Sequence, residues 1–446
     1  MTMSVIPSAL DNDSCDTAIR ASFLHFKSDP DLSGDSFEYF EDGLLILKQG
    51  RVRQLVNALD WIDCLPDGSA LYDYSGCLVM PGFIDTHSHY PQTEMIASYG
   101  LQLLDWLRQY TFPTEEKFAE RNYADQIAEF YCEQLLRNGT TTSGVFATVH
   151  PESVDAIFAA AERRDMCLVA GKVMMDRNAP ASLCDDTQQS YQQSVELISR
   201  WHLQGRAHYA VTPRFAPCCS PEQLELCGQL LAEHPDLYLQ THVAENLDEV
   251  AWVAKLFPNS RSYLDVYDQF GLLGPRAVYA HCIHLDEADR ERMADSGAAI
   301  AFCPTSNLFL GSGLFSLDAA REHGIRVGLA TDVGAGTSFS QLQTLNEAYK
   351  VCQMSGHSLT PLKAFHLATL GAAESLYLDH RIGNFTVGKE ADFVVLDLEA
   401  SDLMQRRMQN SESLEDKLFA LMMLGDDRCV QATHVMGKRQ YLRAGT

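Results

Sequence analysis

The rhythm of apolar and polar positions changes near Leu78. Before it, short alternating runs at Phe37–Phe40, Leu44–Leu47, Val52–Val56 and Leu71–Tyr74 predict strands. Glu41-Asp42-Gly43 and Lys48-Gln49-Gly50 read as turns between them. No helical period appears there, so residues 1–78 are expected to supply the first part of a small β domain, with residues 1 to about 15 disordered. After Leu78, apolar runs alternate with amphipathic stretches. Strands are predicted at about 79–87, 140–147, 167–175, 207–215, 237–243, 277–283, 298–303 and 326–331. The helical period falls between them, at Glu115–Arg137, Ser153–Arg164, Ser190–His202, Ser220–His234, Leu247–Leu256, Asp286–Ser296 and Leu317–His323. Ser220-Pro221 has the N-cap hydroxyl and first-turn proline of a helix start.

Continuous apolar strands suit a parallel sheet covered on its outer side. Eight strand–helix repeats predict an α/β fold, a TIM-like (β/α)8 barrel over residues 79–380. An open doubly wound sheet is the alternative, but no glycine-rich phosphate loop follows the first strand. Phe339–Met354 and Leu362–Leu378 read as helices closing the barrel. From Gly383 to Asp397 the β pattern returns, so residues 381–446 are expected to join residues 1–78 in one discontinuous β-sandwich domain.

Charge narrows the partners. Sixty acidic and 34 basic residues leave a net charge of −26, which argues against nucleic acid or an anionic membrane surface and suits a small, roughly neutral substrate. No apolar run approaches the ~20 residues of a membrane helix. Residues 1–30 are polar and acidic, without a secretory segment. The 13 cysteines include no C-x-x-C and are expected to be reduced and mostly buried in a cytoplasmic protein.

The candidate chemistry lies at the strand ends. In Met80-Pro-Gly-Phe-Ile-Asp-Thr-His-Ser-His-Tyr-Pro-Gln92, His87 and His89 are one residue apart and project from the same side of a strand. Arg214, His242 with Glu245, His281 and Asp332 fall at the C-terminal ends of later strands, where a barrel gathers its functional residues. Three histidines and one aspartate make a zinc ligand set that water or substrate completes. His281 is a further ligand or a base beside it. Asp332 is placed to take a proton from water, and Glu245 to protonate the substrate. Lone histidines such as His234 and His366 are read as structural.

At this point the chain resembles the amidohydrolase superfamily: an H-x-H strand, then single His, His and Asp on later strands. The H-x-x-E of His242–Glu245 resembles its deaminase branch, which uses one metal. Binuclear members carry a bridging lysine on the fourth strand, where this chain has Arg214. Its nearest lysine, Lys172, falls on the third. Within that branch the resemblance narrows to the guanine deaminases. It rests on Pro81–Gln92, Leu104-Asp-Trp-Leu-Arg-Gln-Tyr-Thr-Phe-Pro113, Gly139–Thr142, Pro213-Arg-Phe215, His242–Asn246, Cys303–Gly313 and Thr331–Gly334. It implies one zinc per subunit on His87, His89, His242 and Asp332, with His281 assisting at the water. Glu245 would shuttle a proton to a guanine ring nitrogen, Gln92 and Arg214 would bind the purine edge, and Phe215 would line the pocket. It further implies a homodimer. Ser88 and Ala244 depart from the family pattern, which usually has an apolar residue and often a serine there, but neither is a ligand position. A sister enzyme acting on 8-oxoguanine, an adenosine-like base or a triazine is the rival reading.

Overall fold

The computed structural model describes residues 15–100 and 102–444. The N-terminal stretch expected to be disordered lies almost wholly outside the described residues. Two sheets organise the chain. The first takes β1 (Thr17–Phe26), β2 (Phe37–Lys48), β3 (Arg51–Asn57) and β4 (Ala70–Pro81) from the N-terminal side. The second contains β5 (Phe83–His89), β6 (Thr140–Phe146), β7 (Cys167–Gly171), β8 (Val173–Met174), β9 (Ala207–Pro213), β10 (Tyr238–Val243), β11 (Ala277–His281), β12 (Ala299–Phe302) and β13 (Arg326–Leu329). The C-terminal β14 (Phe393–Leu396), β15 (Val430–Val435) and β16 (Lys438–Leu442) then return to the first sheet, whose order is β16, β15, β14, β4, β1, β2, β3. Its pairs are antiparallel except β1 with β4.

In the second sheet every pair is parallel, and neighbours follow chain order from β5 to β13. Short β8 extends the position of β7 and pairs with the same neighbour, β9. The ends meet through hydrogen bonds from Thr86 Oγ1 to Leu329 O (3.1 Å), Asp332 N to His87 O (2.9 Å) and His89 N to Val333 O (2.6 Å). This is the expected eight-position barrel, and its closure brings the H-x-H segment against Asp332.

Several boundaries differ from the sequence reading, each for a local reason. The strand expected over 79–87 is two strands, because β4 belongs to the terminal sheet and β5 to the barrel. Their apolar run is unbroken because both sheets bury it. Gly82 makes the passage, and a Cβ there would lie 2.2 Å from the Thr141 hydroxyl. Glu41-Asp42-Gly43 is not a turn. β2 runs through it opposite a bulge between Ala21 and Phe23, and a Cβ at Gly43 would lie 2.6 Å from the Phe23 ring. Gln49-Gly50 is the expected hairpin turn, with both residues at positive φ.

The helix expected over Glu115–Arg137 is broken into Phe112–Glu115, a 3₁₀ turn at Glu116–Ala119, and Arg121–Arg137. Leu362–Leu378 likewise divides into Pro361–Leu367 and Leu370–Ser375. The C-terminal segment carries two helices that the β pattern did not announce, Asp402–Met408 and Leu414–Leu424. The second packs on Gln341–Met354, with the Tyr349 and Phe419 rings 5.0 Å apart and Asn346 Nδ2 donating to Met423 O at 2.8 Å. Half-buried Arg206 pairs with Asp392 (2.5 Å) and Glu390 (2.9 Å), joining the barrel to the terminal sheet. All the described cysteines are free, and all but Cys64 and Cys184 are buried. Among the described residues no helix is long and apolar enough to cross a membrane.

Candidate active site

β5 ends in His87 and His89, whose alternation aims both rings to the mouth while Ser88 turns into the wall. The Ser88 hydroxyl there meets the Tyr131 hydroxyl, lies 3.1 Å from Ser143 Oγ and donates to Gly144 O at 3.1 Å. His87 Nε2 and His89 Nε2 lie 3.2 and 3.4 Å from Asp332 Oδ1. His242, from β10, brings its Nε2 to 3.1 Å from that of His89. His281, at the end of β11, puts Nε2 3.8 Å from Asp332 Oδ2. The cluster forms a candidate metal centre: His87, His89 and Asp332, or His87, His242 and His281, each place their ligand atoms within 4.8 Å of one another.

The donors suit a cation. His87 Nε2 is buried without a hydrogen-bond partner, which is costly unless something receives its lone pair. His242 Nδ1–H donates to Arg214 O at 2.7 Å, so its Nε2 lone pair faces the cluster. His281 Nδ1–H likewise donates to Asn307 Oδ1 at 2.9 Å. Burial holds the His89 and His242 rings neutral, well below the usual imidazole range. Burial also acts to raise Asp332, but the neighbouring His87, His281 and His242 outweigh it and hold the carboxyl at about 2. Three imidazoles, mostly neutral, and one carboxylate are the donor types of a catalytic zinc site. His281 and Asp332 adopt positive φ, 71° and 51°, as does Ala244 at 50°. Such backbone persists where surrounding structure over-determines it. Next to Asp332 the Asp85 carboxylate does so, accepting from Thr331 N at 2.9 Å, from the Thr331 hydroxyl, and from His87 N at 3.3 Å.

Glu245 follows β10, just before the helix Leu247–Leu256. Its Oε2 lies 3.4 Å from His281 Nε2, and its Oε1 accepts from Ser312 Oγ at 3.0 Å. Burial pushes its carboxyl up to about 7, against the pull of His281. Its backbone N–H is capped by buried Glu249 at 3.0 Å. A carboxyl poised near neutrality beside a histidine and a cleft has the profile of a proton carrier.

A cavity opens over the cluster. Gln92, Arg214 and Phe215 line it with His89, His242, Glu245, His281 and Asp332, so eight of the nine residues singled out in the sequence meet in one cleft. The ninth, His87, is buried beside them against Asp332. Lys172 is occupied elsewhere, paired with Asp185 at 2.5 Å and Ser190 at 3.0 Å. The sequence reading missed Glu115, Ser312 and Asn307. Glu115 is buried and accepts from Arg214 Nη1 at 2.6 Å and Gln92 Nε2 at 3.3 Å. A carboxylate two residues past the apolar Phe112-Pro113 step was the available signal.

Fold and cluster define a (β/α)8 barrel protein with a candidate metal centre at its strand ends. The amidohydrolase family model matches residues 78–439, and the chain belongs to that family. It is 52% identical to the guanine deaminase of Escherichia coli strain K12 over 96% of this chain and 98% of that protein. The solved structure of the E. coli guanine deaminase superposes with a TM-score of 0.94, covering 96% of this chain and all of the other. A guanine deaminase from C. acetobutylicum, solved with guanine bound in its active site, is 29% identical with a TM-score of 0.86, covering 95% of this chain and 100% of that one.

Proposed function

We propose that the protein hydrolyses guanine to xanthine and ammonia, with one zinc ion per subunit held by His87, His89, His242 and Asp332. The observation that carries this reading is the 52% identity to a guanine deaminase, which spans nearly the full length of both chains. The donor set supports the metal: an orphaned buried His87 Nε2, a tautomer-fixed His242 and an ionised Asp332. Zinc in such a site lowers the pKa of water and supplies hydroxide near neutral pH.

The chain's own residues do the rest. Asp332 accepts the proton of the attacking water, and His281, fixed by Asn307, holds that water by a hydrogen bond. Glu245 carries the proton to the ring nitrogen beside C2, so that carbon can accept the oxygen. The C–N bond to the amino group then breaks, and ammonia leaves with a second proton. Arg214 and Gln92 donate to the O6 and N7 acceptors of the purine edge, for which a planar guanidinium is geometrically suited. Phe215, buried edge-on against Trp252, closes the apolar side. A homodimer, which the family resemblance implies, and a cytoplasmic location, read from the cysteines, belong to the same proposal.

Steady-state turnover on a panel of guanine, 8-oxoguanine, adenosine-like bases and a triazine tests the substrate. Guanine is expected to give the highest kcat/KM. Another base ahead of it by tenfold or more would overturn the assignment.

A further inference from the structure

Glu115 ends the short helix Phe112–Glu115 and is 1% exposed, behind the wall that Gln92 and Arg214 present to the cavity. Its two oxygens are divided between them: Oε2 accepts from Arg214 Nη1 at 2.6 Å and Oε1 from Gln92 Nε2 at 3.3 Å. The Gln92 carbonyl is taken in turn by Gly334 N–H at 3.4 Å. A glutamine amide can present either an acceptor or a donor to a ligand. These two contacts fix the amide's orientation, with its oxygen turned to Gly334 and a second N–H left to offer. Arg214, with one of its five N–H groups held by Glu115, offers donors only. The wall therefore has a single polarity.

We propose that Glu115 is a positioning residue that fixes this donor-only wall, so that the pocket selects purines with an acceptor at position 6 over those with an amino group there. An amino group would set donor against donor in a buried site and leave both unpaired, the arrangement that gives strong discrimination. This inference rests on the proposed purine substrate.

The test compares wild type, Glu115→Gln and Glu115→Asp for metal content, thermal unfolding, guanine kinetics, and competitive inhibition by hypoxanthine and adenine. Glu115→Gln removes the charge facing Arg214 and frees the Gln92 amide to turn. It is expected to keep its metal, raise KM for guanine by about tenfold or more with a smaller change in kcat, and lose about tenfold of the hypoxanthine-over-adenine preference. Glu115→Asp, which keeps the charge, should fall between Gln and wild type. A folded, metal-loaded Glu115→Gln with KM and preference within about twofold of wild type would overturn the proposal, as would loss of kcat alone. If neither variant folds, the wild-type crystal structure with hypoxanthine decides. Glu115 should still hold both donors while O6 lies against them, and a Glu115 released from either would refute the role. Wild type without guanine turnover would instead fail the functional reading itself.

Discussion

The two walls of the cavity are built on different plans. One is made of strand ends: His87 and His89 from β5, His242 from β10 with Glu245 just after it, His281 from β11, and Asp332 just past β13. These positions are fixed by the barrel ladder and by hydrogen bonds such as Asp332 N to His87 O at 2.9 Å. The other wall joins one strand end to a connection: Arg214, just beyond β9, and Gln92 in the 3₁₀ turn Tyr90–Met95, with Glu115 on a four-residue helix behind them. Its order comes from side-chain pairing, chiefly the buried Arg214–Glu115 pair at 2.6 Å. On the proposed function, the metal-cluster wall would carry the chemistry and the paired wall the choice of ligand.

Changes on the first wall should strike turnover, and changes on the second should strike binding. The largest effect is expected for Glu245→Gln, which should retain fold and metal but lose kcat by ~10² or more, as for a lost general acid–base. Stopped assays with metal analysis check this, and near-wild-type kcat would remove Glu245 from the chemistry. Arg214→Ala should leave metal content intact and raise KM for guanine by roughly 10- to 100-fold, the cost of one or two charge-assisted hydrogen bonds. It should also destabilise the fold by ~3 kcal/mol, because Glu115 would be left as an unpaired buried carboxylate. A loss confined to kcat would erase the distinction between the walls.

The smallest effect concerns the metal-free protein. Glu245 titrates near 7 when folded, against a usual 4.5. Between those values the folded state holds a proton that the unfolded state has released, so stability from this group falls as pH rises and the cost is complete above about 7. Glu245→Gln has no such proton. Its unfolding temperature relative to wild type should therefore be higher at pH 8 than at pH 5, by the equivalent of ~2–3 kcal/mol. A pH-independent difference would place the carboxyl in a less desolvated setting.

The same division explains what the sequence disclosed. Strand ends were legible because a continuous apolar run followed by a polar residue marks burial and then a mouth, as in Val327–Ala330 before Thr331-Asp332. The H-x-H spacing is likewise a direct consequence of strand alternation. Glu115 was not legible in this way. It stands where a helical period starts, and it reads as the first turn of a long helix, whereas the chain breaks after it and turns its carboxylate inward. Ser312 and Asn307 orient Glu245 and His281 from segments far away in sequence, and no local pattern encodes such a meeting. The join at Gly82 was hidden for the opposite reason, since two different sheets bury one uninterrupted apolar run.

The most direct test is to measure zinc content and guanine-dependent ammonia release on one preparation, before chelation, after it, and after zinc is returned. About one zinc per chain is expected, with loss of ammonia release in step with loss of metal and recovery on readdition. Full ammonia release from protein shown to be metal-free would contradict that expectation.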